Sequence, residues 1–190
     1  YDISQSVGFS DVISVYNPEQ LIPMTYNNQL FGLPETENFF VLFYRKDILE
    51  QLQLTVPNTW DDVLGMLPVL RRYGMSFYVP LSNSSSLKSF DATAPFIYQF
   101  GGSIYAEDGL SSGLDQENTI EAMTFMTDLY REYAMPYQVP SFFNSFRYAS
   151  IPVGIGDFGM YLQLMNAASD IRGLWDIALV PGIKHEIYNE

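Results

Sequence analysis

The 190 residues carry 9 Lys and Arg against 22 Asp and Glu, a formal net charge of −13, and 47% of them are hydrophobic. That is enough for one substantial core and cramped for two complete domains, and the negative charge would repel a nucleic-acid backbone, so no nucleic-acid partner is expected. No apolar run approaches the roughly 18 residues of a membrane helix, and the lack of cysteine removes disulfides, thiolate nucleophiles and thiolate metal sites. The chain opens at Tyr1 with neither the charged nor the apolar region of an export signal, as a mature form or an excised piece would, excision being favoured. Fourteen Tyr and fourteen Phe exceed what a core alone usually takes. The surplus suits either a cleft on which flat ligands stack or an aromatic-rich core.

In chain order, Val7 to Val15 is apolar and irregular, and Tyr26-Asn27-Asn28-Gln29 predicts a hairpin turn. The uninterrupted run Phe39 to Tyr44 reads as a strand buried on both faces. Asp47 is expected to cap a short helix reaching about Leu52. Thr59-Trp60-Asp61-Asp62 then predicts a second helix through a capping box, which Pro68 should kink or shorten by its clash with the carbonyl of Leu64. Ser76 to Leu81 reads as a strand, Ser82 to Ser86 as a polar loop, and Ala92 to Phe100 as a helix ending at Gly101-Gly102. Asp115 is expected to cap a long helix whose core stripe is Ile120, Met123, Thr124, Thr127, Tyr130 and Ala134. A short helix at Phe142 to Phe146, a small strand at Ile151 to Gly156, a helix over about Met160 to Ala168 and a strand from Leu174 stopped by Pro181-Gly182 complete the pattern. Strands alternating with helices, without internal repeats, make the class α/β.

Several constellations could carry chemistry. Gly154-Ile155-Gly156-Asp157-Phe158-Gly159 fits the dinucleotide fingerprint with Asp176 about twenty residues on, but Pro152 breaks the strand before it and Asp176 starts its own strand instead of ending it. Carboxylate pairs stand at Glu35 and Glu37, Asp61 and Asp62, and Glu107 and Asp108. The second belongs to a helix N-terminus and the third to a solvated turn, which leaves Glu35 and Glu37 for ligand contact or, less favoured, for glycosidase-type catalysis. A single histidine, His185, permits neither a Ser-His-Asp triad nor a multi-histidine metal site, and no phosphate-binding P-loop is present, so neither cofactor nor metal is expected.

Taken together, Gly32-Leu33-Pro34, then Phe43-Tyr44-Arg45-Lys46-Asp47-Ile48-Leu49, then Pro57-Asn58-Thr59-Trp60-Asp61-Asp62-Val63 resemble the family 1 extracellular solute-binding proteins of bacterial ABC transporters. Gly101-Gly102, Leu114-Asp115, Leu129-Tyr130, Pro152 to Gly156, Gly173-Leu174-Trp175 and Val180-Pro181-Gly182 follow in the same order, so the resemblance spans about Asn28 to Gly182. It implies a periplasmic-binding-protein type II lobe with a mixed central sheet flanked by helices. Residues 1–33 would be a remnant of the first lobe, 34–174 the second lobe, and 175–190 the returning hinge strand with the start of a first-lobe segment, the whole being part of a longer chain. The family's groove would be lined by Glu35, Glu37, Asn38 and Phe39, by Asn83 and Ser84, and by Asp157 and Tyr161.

The implied function is the extracytoplasmic solute-binding component of an importer, in the periplasm or lipid-anchored on the outer face of a Gram-positive membrane. Its partners would be a mono- or oligosaccharide and the permease subunits, and the chain itself would be monomeric or weakly self-associating. Side chains such as Asn38 and the carboxylates suit neighbouring hydroxyls, while Phe39 and Tyr161 could stack on a pyranose, with core burial and helix packing as their alternatives. The rivals are a carbohydrate-active enzyme using Glu35 or Glu37 and a surface carbohydrate-binding or adhesion module.

Overall fold

The strand predicted from Phe39 to Tyr44 is the centre of a four-stranded mixed sheet. A computed structural model describes residues 2–35, 39–80, 86–137 and 139–183, with backbone alone over 86–92. The chain divides into two compact units, Tyr1–Asn38 and Phe39–Glu190.

In the first unit, α1 (Phe9–Ile13) replaces the irregular stretch expected there, and α2 (Pro18–Leu21) begins at a capping box in which Asn17 and Gln20 satisfy each other's backbone. The hairpin of β1 (Thr25–Tyr26) and β2 (Gln29–Leu30) turns through Asn27 and Asn28 at φ 49° and 60°, the paired left-handed conformation for which Asn is suited. The Asp2 carboxylate accepts from the backbone N–H of Ser4 and Leu30, at 3.0 and 3.2 Å, and ties the unit's start to its hairpin.

In the second unit, β3 (Phe40–Arg45) lies between β5 (Val153–Asp157) and β6 (Trp175–Ala178), antiparallel to both, while β4 (Phe77–Tyr78) pairs with β5 in parallel, giving the order β4-β5-β3-β6. Both faces of β3 are covered. Leu42, with Val153 and Ile155 of β5, packs under α4 (Trp60–Arg72), α5 (Ser86–Gln99) and α6 (Glu117–Arg131). Val41 and Phe43 pack on the other face against α7 (Phe142–Arg147) and α8 (Gly159–Ala167). This is the continuous apolar writing that a doubly covered strand needs.

Three local expectations are corrected. Asp47 does not cap α3 (Lys46–Gln51): Arg45 holds the N-cap position, and its guanidinium grips both Asp47 oxygens at 2.8 and 2.7 Å. Pro68 does not shorten α4, because it lies on the exposed side while Trp60, Val63, Met66, Leu67 and Leu70 form a buried stripe that carries the helix through the missing hydrogen bond. Nor does Asp115 cap α6, whose N-cap is Gln116, and its core face is turned from the expected one. Thr119, Ala122, Leu129 and Tyr130 are buried, whereas Ile120 and Met123 stand 54% and 39% exposed. Gly102 explains the rotation, since a Cβ there would sit 2.6 Å from Thr119 Oγ1, so α6 meets the end of α5 at Thr119. The capping box at Thr59 and Asp62 is as expected.

The glycines of β5 serve packing. A Cβ on Gly154 would meet Tyr78 Cβ at 2.7 Å and the Tyr78 carbonyl at 2.9 Å, and one on Gly156 would meet the Phe142 ring at 3.1 Å. The triple-glycine stretch therefore lets β4 and Phe142 close on β5, and the antiparallel β3 lies between β5 and β6, so the strand–turn–helix that follows these glycines does not lead to a neighbouring parallel strand as the dinucleotide unit does.

Arg45 is almost wholly buried and donates Nη1 to the carbonyls of Phe146 (3.2 Å) and Arg147 (3.0 Å), so one side chain joins the end of β3 to Asp47 and to α7. Burial opposes the charge on Asp47, but the hydrogen bonds and charge of Arg45 outweigh it and hold the carboxyl below its usual range. A depressed carboxylate contributes stability above its unfolded pKa and loses it as pH falls through the folded one, so urea midpoints should decline on acidification below about pH 4. Arg45→Met should cost about 3 kcal/mol in urea unfolding and flatten that decline, whereas an unchanged midpoint would remove Arg45 from this role. Gly154→Ala should cost about 1–3 kcal/mol by overpacking against Tyr78, and a neutral effect would contradict the packing reading.

Candidate functional site

Because β3 runs against β5 and β6, the carboxyl ends of β4, β5 and β6 all reach the edge where β3 begins. Ligands of open α/β sheets settle outside such carboxyl ends. Phe39 and Phe40 at the start of β3, Tyr78 and Pro80 at and after the end of β4, and Asp157 and Phe158 at and after the end of β5 converge there. Phe158 N donates to the Phe39 carbonyl at 3.0 Å and extends the ladder by one rung.

Three aromatic rings stack along this edge. Phe39 and Phe158 lie 4.9 Å apart at 23°, Phe158 and Tyr161 lie 5.2 Å apart at 6°, and Tyr161 meets Trp175 edge-on at 5.4 Å. Phe39 is 48% exposed, and Phe158 and Tyr161 are half-buried, so the row is anchored at Trp175 and open at Phe39.

Beside it is a cavity of about 240 Å³ lined by Phe40, Tyr78, Phe142, Asp157, Met160 and Gln163 among others. Asp157 is exposed at the end of β5, where one carboxylate oxygen accepts from Met160 N at 3.2 Å and steadies the first turn of α8. Burial, and then the charge of Asp157, push the Tyr78 phenol above its ordinary value, so it stays protonated and able to donate at neutral pH. Tyr78 leans on Phe142, with ring centroids 4.6 Å apart. The site thus offers a flat apolar row next to one carboxylate acceptor and one phenol donor, a combination matched to a ring with one apolar face and peripheral hydroxyls.

Of the residues anticipated from sequence, Phe39, Asp157 and Tyr161 come together at this edge. Glu35 is exposed in a bend of the first unit. Glu37, Asn38, Asn83, Ser84 and His185 lie outside the described residues. Sequence reasoning missed Phe158, Tyr78 and Phe142. Phe158 was hidden inside a motif scanned for its glycines, although its spacing of three from Tyr161 on a helix start was a usable signal. The other carboxylate pairs are structural. Asp62 accepts from Asn58 N and Thr59 N at 3.0 and 2.9 Å, and the Asp108 carboxylate, bonded to the Ser111 hydroxyl and to the N–H groups of Ser111 and Leu110, is lowered to about 2. Among the described residues no group of three or more His, Cys, Asp or Glu is placed to hold a metal ion.

Comparison with known proteins agrees with this architecture. The model of the bacterial extracellular solute-binding protein family matches residues 3–184. An uncharacterised ABC transporter extracellular-binding protein of Pyrococcus horikoshii is 30% identical over 96 residues, covering 47% of this chain and 23% of the relative. Among solved structures, the maltose-bound T. maritima MalE3 superposes with a TM-score of 0.76 at 19% identity, over 96% of this chain and 48% of the other. A solute-binding protein of Thermotoga lettingae bound with α-D-tagatose gives 0.75 at 24%, over 95% and 47%. A Listeria monocytogenes ABC substrate-binding protein in complex with cycloalternan gives 0.75 at 18%, over 96% and 47%. The chain spans a little under half the length of these solved relatives and about a quarter of the curated one. At these identities the solved structures establish the fold, a type II periplasmic-binding-protein lobe, and the match over residues 3–184 shows that the chain belongs to the bacterial extracellular solute-binding protein family.

Proposed function

We propose that this chain forms one wall of the ligand cleft of an extracytoplasmic solute-binding component of an ABC importer, which captures a mono- or oligosaccharide and delivers it to membrane permease subunits. The observation that carries the reading is the open aromatic row Phe39–Phe158–Tyr161 set beside Asp157 and Tyr78 at the carboxyl ends of the strands. A pyranose would lay its apolar face on the row and turn its hydroxyls to the carboxylate and the phenol. The sugars held by three relatives of the same fold, maltose, tagatose and cycloalternan, support that ligand class.

In this reading residues 34–174 belong to the second lobe, 1–33 to a remnant of the first and 175–190 to the returning segment. Glu35, Glu37, Asn38, Asn83 and Ser84 are, by the family resemblance, further candidates for ligand contact. The protein binds without catalysing, since capture and release by lobe closure require only differential affinity between two states. It works outside the cytoplasm, in the periplasm or lipid-anchored on the outer face of a Gram-positive membrane.

A thermal-shift panel of mono- and oligosaccharides, amino acids and phosphate esters on the intact protein tests this. One sugar class should raise Tm selectively, by an amount equivalent to about 2.7 kcal/mol at a hundredfold excess over Kd. Phe39→Ala, which removes an exposed ring, should leave the unliganded Tm within a degree or two and weaken sugar binding about tenfold, roughly 1.4 kcal/mol. Selective stabilisation by a non-sugar, or sugar affinity indifferent to Phe39, would overturn the proposal.

A further inference from the structure

The row and its cavity occupy one side of the sheet's carboxyl edge, and the other side holds a second cavity of similar size that the sugar reading does not use. It too measures about 240 Å³ and lies under α4 and α5, on the sheet face that Leu42, Ile155 and Val79 share with Trp60 and Phe96. Its walls are Trp60, Val79, Phe96, Ile155 and Val180, with Pro95 beside them. Phe40 and Pro80 line both cavities, so the two adjoin at the sheet edge and one solute lying across that edge can reach into each.

The chemistry of this second space is different from that of the first. The two polar side-chain groups on its wall, the Trp60 indole N–H and the Gln99 amide, are engaged with the protein itself. Trp60 Nε1 donates to Gln99 Oε1 at 2.9 Å, and Gln99 Nε2 donates to the Pro181 carbonyl at 3.0 Å. A water needs two to four polar partners to be held, and a hydroxyl moved here from solvent would forfeit its hydrogen bonds. Rings pack edge-on and tilted around the space, Trp60 on Phe77 and Phe96 at 6.3 and 4.9 Å, so its lining is largely aromatic. A dry apolar cavity of about 150 Å³ accommodates benzene, and this one is larger.

We propose that the Trp60–Phe96–Val180 cavity is an apolar subsite that takes an alkyl or aryl substituent, on the order of six to eight carbons, of the solute whose polar part lies over Asp157. The proposal rests on the solute-binding reading for the identity of that polar part, but the subsite itself is defined by its own walls. It makes the site selective for glycosides or glycolipid-like solutes bearing a hydrocarbon group over the bare sugar.

Toluene is the probe, with the indole N–H signals of the two tryptophans as reporters. Trp60 faces the proposed subsite, and Trp175 packs on the opposite face of the sheet against Phe43 and Tyr161. Titrating the 190-residue chain with toluene should move the Trp60 signal saturably and leave Trp175 in place. Val180→Phe, at the half-buried rim, should fill the space and weaken toluene binding at least tenfold, while its spectrum otherwise keeps the wild-type dispersion. No shift at toluene saturation, or equal and unsaturable shifts of both indoles, overturns the proposal in the wild-type chain alone, without recourse to the variant. Failure of the sugar panel with toluene still moving Trp60 would strike the solute reading and leave the subsite standing, so the two fail separately.

Discussion

Everything in the second unit depends on β3 being buried on both faces and bonded on both edges. A strand in that position cannot slip, because a shift of one residue would exchange Leu42 for Val41 or Phe43 between two filled cores. It also cannot end freely. Arg45 stops it with a bidentate hold on Asp47 and two bonds to the carbonyls that close α7, so the far end of the strand is fixed by charge and the near end, at Phe39 and Phe40, is delivered to the sheet edge in a defined register.

The strand directions then do the rest. With β5 and β6 antiparallel to β3 and β4 parallel to β5, every strand of this sheet but β3 presents its carboxyl end at the same edge, where the last residues of β4 and β5 supply the phenol and the carboxylate, and Phe39 before β3 joins Phe158 and Tyr161 after β5 in the aromatic row. The absence of side chains at Gly154 and Gly156 lets Phe142 and Tyr78 come down onto β5 and form the wall beside Asp157. The edge is chemically two-sided as a result: polar and aromatic where α7 and α8 cover the sheet, mainly apolar where α4 and α5 do.

Much of the fold was legible in the sequence, since the signals were local and strong. The apolar run from Phe39, the Thr59–Asp62 capping box, the Asn27-Asn28 turn and the Gly101-Gly102 stop each have a single-segment physical cause. The misread features depend on contacts made across the chain. The face of α6 is set by Gly102 meeting Thr119, the fate of Asp47 by Arg45, and the persistence of α4 past Pro68 by a stripe packed on the sheet. Phe39, Asp157 and Tyr161 could be singled out beforehand because the family resemblance pointed to their segments. Phe158 shares that segment and its spacing from Tyr161 was legible, but Tyr78 could not be singled out, because its place in the site follows from strand pairing that no short window encodes.

The central claim is that a sugar ring lies on the Phe39–Phe158–Tyr161 row. A crystal structure of the protein with its tightest-binding sugar measures it most directly. The account predicts a pyranose face stacked on the row at an aromatic-contact distance of about 4–5 Å, with hydroxyls bonded to Asp157 and Tyr78. A sugar bound elsewhere on the protein, with the row bare, would contradict it.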